Sequence, residues 1–464
     1  MMRTLLDGIG WQQHLRPFLV QRLAARAPWG SVLGSLLVLL FLLLALSGCS
    51  LALYYSPSPD KAAASLSFIV SDVPAGRLLR AFHYWGAGAF LLTMMTHLAT
   101  NFIRGSYKAP RQFTWITGVL LLMVAAGLLF TGSLLPWSAR SYSAAVVTSA
   151  LISQVPIAGR QIACGFLGGY SVSGLSLTRF YVFHILFLPA LLMLFAAVHV
   201  YLVRCHGLDE CDCDAESAPP ATPGYRFFPE HVRRLLCVFV PVLGLWLMIA
   251  ILGGPPHSTP LQQLDGSYEP RPEWFFLWLF QLLTFFPGRW EWVGSLLVPG
   301  IGLLLLFAVP FLDNARRRRS AGRPLATAVA STAIAAVVYL TLSAWQHTLP
   351  YNVSTIASRP AAVAELRGRQ LYAANQCGYC HTVKGLGGRP VGPDLSNLAA
   401  RGRTPQEIAA YVRNPRLVTR SALMPAYRLS PSELADLASY IQSLDSRQCS
   451  IHLWPKHSSS TAPR

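Results

Sequence analysis

Charge is scarce in this sequence. Only 12% of its 464 residues are charged and just 20 are acidic, where an ordinary soluble domain carries about 25% charged residues. A water-soluble domain is therefore excluded as the bulk of the chain. The nine cysteines show no regular pairing, which excludes a disulfide-stapled scaffold. No internal repeat and no cleavable leader is visible. The first apolar run starts about thirty residues in and is too long for a leader's apolar stretch, so it is expected to be retained. Apolar residues are abundant instead, at 53%. They fall in runs of membrane-spanning length, and seven spans are predicted near 30–54, 77–103, 113–135, 178–203, 232–253, 291–313 and 325–346.

A net charge of +18 would suit nucleic acid, but its placement argues against such a partner. Basic residues gather at Arg16, Arg22 and Arg26, in Arg104–Arg111, and in the run Arg316–Arg319. With seven spans these segments share one side of the membrane, the side that basic loops mark as cytoplasmic. A bacterial-type inner membrane then has the N-terminus inside and the C-terminal block outside. Residues 1–210 form a four-span part, followed by a polar linker, Leu208–Pro223. Residues 224–348 form a three-span part, residues 360–446 a small soluble helical domain, and residues 447–464 a Ser-rich tail expected to be disordered. The expected fold is all-α: a polytopic membrane helix bundle carrying a small soluble all-α domain. Cys205, Cys211 and Cys213 with His206 read as reduced cytoplasmic thiols, a metal site being the alternative; Cys449 reads as a free outer thiol.

Four histidines lie inside apolar spans: His83 and His97 in the second, His184 and His199 in the fourth. An ionisable group within a span is costly and points to function. The first pair is 14 residues apart, about 21 Å of helix rise with a return to within roughly 40° of the same face. Both spans run outside to inside, so His83 is set opposite His184 near the outer surface and His97 opposite His199 near the inner one. Paired imidazoles are the axial ligands of a low-spin electron-transfer haem, and two stacked haem b groups follow. Gly34 and Gly48 in the first span, and Gly118 and Gly132 in the third, repeat the 14-residue register. Bare backbone there lets a porphyrin edge come close.

Cys377-Gly378-Tyr379-Cys380-His381 is a C-x-x-C-H haem-attachment sequence, with both thiols bonding the haem c vinyls and His381 on the iron. Met424, after Gly392-Pro393-Asp394-Leu395, offers a thioether for the opposite face. Between the fifth and sixth spans, Glu273 stands among Pro272, Trp274, Phe275 and Phe276. From the residues alone this is either a proton-accepting carboxylate or a loop anchored by aromatics at the interface.

The stretch Trp29–Gly207 resembles cytochrome b of the cytochrome bc complexes through Tyr54-Tyr55-Ser56-Pro57, Leu79-Arg80-Ala81-Phe82-His83, Leu135-Pro136-Trp137 and Leu177-Thr178-Arg179-Phe180-Tyr181. Lys108–Trp115 and the longer run between His184 and His199 are most similar to the photosynthetic, plastoquinol-oxidising branch. Pro272-Glu273-Trp274-Phe275 is similar to that family's Pro-Glu-Trp-Tyr quinol-pocket signature, with Phe275 lacking the tyrosine hydroxyl. Residues 365–445 resemble small class I cytochrome c domains.

The resemblance implies roles. Arg80 and Arg179 would pair with propionates of the outer haem and Arg111 with those of the inner one, while Glu273 takes a quinol proton in a pocket shaped by Pro272 and Trp274. Val32 stands where the photosynthetic branch has a haem-attaching cysteine, so no covalently bound third membrane haem is expected. Thr100 replaces the family arginine after the inner histidine. The implied activity is quinol oxidation at the outer face. Electrons pass to two haem b groups and, through a separate Rieske iron–sulfur protein, to one covalent haem c, with proton translocation in a dimeric complex. A soluble or membrane-bound acceptor takes the electron from haem c. A quinone-independent transmembrane electron conduit is the competing reading, and a haem-containing sensor or assembly subunit a weaker one.

Overall fold

The computed structural model describes residues 29–59, 61–168, 172–207, 226–256, 271–286, 290–313, 322–346, 360–383, 386–387, 392–396, 398, 401–422 and 424–444. Arg16, Arg22, Arg26, the linker Leu208–Pro223, Cys211, Cys213, Arg316–Arg319, Cys449 and the tail 447–464 lie outside the described residues.

Helix α1 (Leu33–Ala52) follows a single 3-10 turn at Trp29–Val32. A short α2 (Ala62–Ser71) bends by 115° into the long α3 (Gly76–Arg104). α4 (Gln112–Leu134) leads to two short helices, α5 (Ala139–Ser153) and α6 (Gly159–Leu167). α7 (Gly174–Val182) runs through a wide π turn, Phe183–Phe187, into α8 (Leu188–His206). The second part has α9 (Val232–Gly253), α10 (Leu277–Leu283), α11 (Val298–Leu312) and α12 (Pro324–Gln346). Among the described residues six helices are long and apolar enough to cross a membrane, and the bent α2–α3 pair makes a seventh if it is one span. Their outward faces carry Leu42, Leu194, Leu304, Val329 and Leu342 exposed, as lipid-facing surfaces do.

The main core joins α1, α3, α4, α8 and α9 around Leu36, Leu40, Phe90, Met94, Val124, Ala125, Leu192 and Trp246. Every one of these on the first four helices lies between the two histidine or glycine positions of its own helix, so the apolar core fills the bundle between two cofactor levels. α9 is docked by Trp246, which stacks on Phe82 at 3.8 Å and donates from Nε1 to the Phe82 carbonyl at 2.7 Å. Gly86 makes this possible, because a Cβ there would lie 1.9 Å from the Trp246 ring.

At the other end, Arg323 clasps the two parts together. Its side chain is fully buried. It donates to the Phe102 and Ile103 carbonyls at 2.9 and 2.7 Å, to Tyr107 Oη at 2.6 Å and to Asp313 at 3.2 Å. Lys108 reaches the other Asp313 oxygen at 3.1 Å. The carbonyls belong to the last turn of α3, where helix geometry leaves them without partners and favours a cation. Arg323→Ala leaves the α3 carbonyls without their donor and Asp313 with only Lys108 and Tyr107, and thermal unfolding in detergent is expected to show a loss of about 1–3 kcal/mol. An unshifted transition would mean that Lys108 and Tyr107 alone satisfy the cluster.

The C-terminal domain packs α13 (Pro360–Ala374), α15 (Pro405–Arg413) and α17 (Pro431–Ser443) around Tyr372, Ile408, Val412, Leu434, Leu437 and Ile441. Single-turn helices α14 (Cys377–Cys380) and α16 (Pro415–Val418) complete it. Thr404 and Ser430 begin α15 and α17 with reciprocal caps to Glu407 and Glu433. The all-α expectation meets one small exception, a two-residue antiparallel pair, β1 (Thr382–Val383) with β2 (Leu386–Gly387).

Candidate functional site

His83 and His184 face each other. The His83 and His184 rings have centroids 6.2 Å apart and planes at 82°. Two metal–nitrogen bonds of about 2 Å each, plus the two ring radii, need about this span, so the gap takes one iron.

Their other nitrogens are anchored. His83 Nδ1 bonds Ser47 Oγ at 3.0 Å, and that hydroxyl donates onward to the Leu44 carbonyl. His184 Nδ1 meets Thr131 Oγ1 at 3.2 Å and the Leu128 carbonyl at 3.0 Å, while Thr131 donates to the Gly127 carbonyl. His199 Nδ1 meets Thr117 Oγ1 at 2.9 Å, with Thr117 donating to Thr114. Each hydroxyl spends its proton on a helix carbonyl and so accepts from the imidazole. That fixes Nδ1–H and leaves Nε2 as the free metal ligand. His97 differs: its Nδ1 is buried without a hydrogen-bond partner among the described residues, and Nε2 accepts from Asn101 at 3.3 Å. A flip of that ring would free Nε2 for a metal.

The glycines sit against the histidines one to one. A Cβ at Gly48 would lie 2.9 Å from His83, at Gly132 2.7 Å from His184, at Gly118 3.4 Å from His199 and at Gly34 3.6 Å from His97. At Gly48 and Gly132 a side chain would press on the imidazole, whereas at Gly118 and Gly34 it would meet the ring at ordinary contact distance. The fourth-span spacing also finds its cause. On a regular helix, 15 residues would carry His199 about 60° past His184. The π turn at Phe183–Phe187 absorbs one residue, and Pro189, which lacks an N–H, stands just beyond it.

The expected arginines are near the ends of the bundle. Arg80 Nη2 reaches the Pro256 carbonyl at 3.5 Å, and Arg179 Nη1 donates to the Gly165 carbonyl at the end of α6. Arg111 holds the C-terminus of α8 through His206 O at 3.3 Å and Gly207 O at 3.4 Å. Near the missing arginine at Thr100, Arg104 lies one turn further along α3 with its guanidinium over Gly30, 2.8 Å from where a Cβ would stand.

Glu273 is partly buried, with 12% of its side chain exposed. Oε1 pairs with Arg140 of α5 at 3.2 Å, and Oε2 accepts from Tyr84 of α3 at 3.0 Å. Tyr84 is the residue after His83, so this carboxylate is tied to the helix position beside the outer imidazole pair. Trp274 packs by Gly88, 3.6 Å from its would-be Cβ. Phe275 stacks obliquely on Phe276, which meets Phe130 edge-on. Pro272 leads into the short 3-10 turn Trp274–Phe276. Aromatic rings thus stand beside the Glu273, Arg140 and Tyr84 contacts.

In the C-terminal domain, His381 Nδ1 donates to the Pro393 carbonyl at 2.9 Å. A Cβ at Gly392 would stand 2.6 Å from the His381 ring, so again glycine admits an imidazole whose Nε2 is left free. Met424 packs at the edge of the same core as Cys377. Burial, with Cys380 alongside, pushes the Cys377 thiol up to about 12. The His83–His184 pair suits a bis-imidazole haem, and Cys377, Cys380 and His381 suit a covalently attached one.

Sequence reasoning had missed Ser47, Thr117, Thr131, Arg140 and Tyr84. Residues 25–207 match the family described as cytochrome b/b6/petB, residues 265–364 cytochrome b (C-terminal)/b6/petD, and residues 366–445 cytochrome c. A cytochrome b of Rickettsia prowazekii (strain Madrid E) is 29% identical over 296 residues, spanning 63% of this chain and 73% of its own. A chain of a hyperthermophilic respiratory Complex III superposes with a TM-score of 0.66 at 25% identity, covering 80% of this chain and 98% of that one.

Proposed function

We propose that this chain, a cytochrome b in two successive parts joined to a cytochrome c domain, is the membrane subunit of a bc-type quinol:cytochrome c oxidoreductase. It oxidises quinol at the outer face of a bacterial-type inner membrane. Electrons go to two haem b groups and, through a separate Rieske protein, to haem c, with protons released outside and taken up inside. The partners are that iron–sulfur protein, a second copy of the complex, and an acceptor for the haem c electron.

Haem at each imidazole pair supplies a one-electron carrier. The rest is done by the chain's own side chains. Ser47, Thr131 and Thr117 hold three imidazoles by Nδ1. Pro272, Trp274, Phe275 and Phe276 exclude water around the carboxylate. Glu273 accepts a quinol hydroxyl proton. The observation that carries the reading is Glu273 itself: a carboxylate beside aromatic rings, bonded to the neighbour of His83. A bare electron conduit has no use for it.

The test is anaerobic stopped-flow reduction of the purified complex by a quinol analogue, with and without Glu273→Gln. Both b and c bands should be reduced by quinol, and the variant should slow both together by about 10²-fold. Haem b unresponsive to quinol, with haem c reduced only by an added external donor, would establish the conduit instead.

A further inference from the structure

We propose that Arg140 is a positioning residue for the proton-accepting carboxylate, holding Glu273 with Tyr84 and opening its way to the outer aqueous phase. The inference rests on the quinol-site reading above. Glu273 lies in extended backbone, φ −60° and ψ 152°, just before the 3-10 turn. No helix of its own orients the side chain. The two oxygens are instead fixed from two other helices, Oε1 by Arg140 at 3.2 Å and Oε2 by Tyr84 at 3.0 Å. Each oxygen has its own partner, so the carboxylate plane is set.

Arg140 stands in an unfavourable place for a cation. It lies in the first turn of α5, after the N-cap Ser138, whose Oγ accepts from the Ser141 N–H. Helix N-termini favour negative charge and disfavour positive. A half-exposed ion pair also contributes little to folding. Helix stability therefore does not account for a cation here, whereas the Glu273 carboxylate gives it a partner. The accessibilities differ in the right sense: 12% of the Glu273 side chain is exposed and 42% of Arg140's. Arg140 thus links a partly buried acceptor to water.

The proton balance is simple. A quinol hydroxyl loses its proton to Glu273 as its electron leaves to the iron–sulfur partner of the proposed reaction. The neutral carboxyl no longer attracts Arg140 by charge. The proton then passes from the carboxyl to water at the exposed side of the pair, and the restored carboxylate recovers its ion pair with the guanidinium, which itself gains and loses no proton.

The experiment uses the whole purified complex and reads quinol-driven haem b reduction across quinol concentrations. Arg140→Gln is expected to slow the saturated rate by about tenfold to a hundredfold, with the half-saturating quinol concentration changed by less than about threefold. Arg140→Lys restores the rate to within about threefold of the parent, which a loss of packing alone would not allow. The double variant Arg140→Gln/Glu273→Gln is no slower than Glu273→Gln, because both changes act through one carboxylate. Should Arg140→Gln fail to assemble with haem, Tyr84→Phe is read in its place. It must slow the reaction and be equally non-additive with Glu273→Gln. Parent-like rates in the Arg140 variants beside a slow Glu273→Gln overturn this inference and leave the quinol site standing. Losses that multiply in the double variant overturn it too. A parent-like Glu273→Gln removes the quinol-site reading and this inference with it.

Discussion

His184→Leu is expected to halve the haem b content, from two per chain to one, in a pyridine haemochrome assay of the purified complex. The remaining haem should no longer be reduced by quinol. The argument starts from geometry. His83 and His184 face each other across a gap that fits a single iron, and leucine offers it no lone pair. One ligand short, the outer site cannot hold its haem against dilution in detergent. The inner site is about 21 Å away along the helix and keeps both its imidazoles, so it should survive. Thr131→Val is the graded companion. It keeps the imidazole but deletes the hydroxyl that takes the His184 Nδ1 proton, and such outer partners are typically worth about 10–100-fold in affinity. Retention of two haems in His184→Leu would mean that this histidine is a satisfied core residue and that the pairing across the bundle is wrong.

Much of this arrangement was legible in the sequence because it rests on helix period alone. Histidines and glycines at one register on four spans specify which faces meet without any knowledge of packing. The 15-residue gap between His184 and His199 was the visible irregularity. It pointed to a displaced face, but the wide turn that absorbs it depends on how one carbonyl ladder re-forms ahead of Pro189. Composition does not carry that information.

The hydroxyl partners were missed although they left a local signal. Ser47, Thr117 and Thr131 each immediately precede their glycine, so one turn of helix supplies both the gap and the hydrogen-bond acceptor. At Gly34 the preceding residue is Leu33, and His97, against that glycine, is the histidine whose Nδ1 has no partner among the described residues. Arg140 and Tyr84 could not be found this way. They lie 133 and 189 residues from Glu273, and only the fold brings the three together. The inner site is less complete for the same reason: Arg111 was visible as charge in a loop, while its use in holding the end of α8 is a tertiary fact.

The second large effect concerns the C-terminal domain. Cys377→Ser with Cys380→Ser is expected to abolish haem-dependent peroxidase staining of the chain after denaturing electrophoresis, since no thioether remains to carry haem through denaturation. On the proposed reading the membrane haems are held without covalent bonds and give no stain in either form, so the readout isolates this domain. Met424→Leu separates attachment from ligation. The stain should persist, because both thiols and His381 are intact. The reduction potential should fall, because a thioether opposite histidine favours the reduced iron. A hundredfold change in the oxidised-to-reduced ratio corresponds to about 120 mV at 59 mV per tenfold for one electron, well within the reach of a dye-mediated titration. The competing view is that Met424 merely packs against the core that also holds Cys377 and Leu437. Leucine would then fill nearly the same volume at a cost below about 1.5 kcal/mol, and the potential would not move. Ligation and packing therefore predict opposite results for one substitution. If the stain persists and the potential falls, His381 and Met424 are the two faces of one iron, and a haem poised high enough to draw electrons outward from a Rieske partner follows.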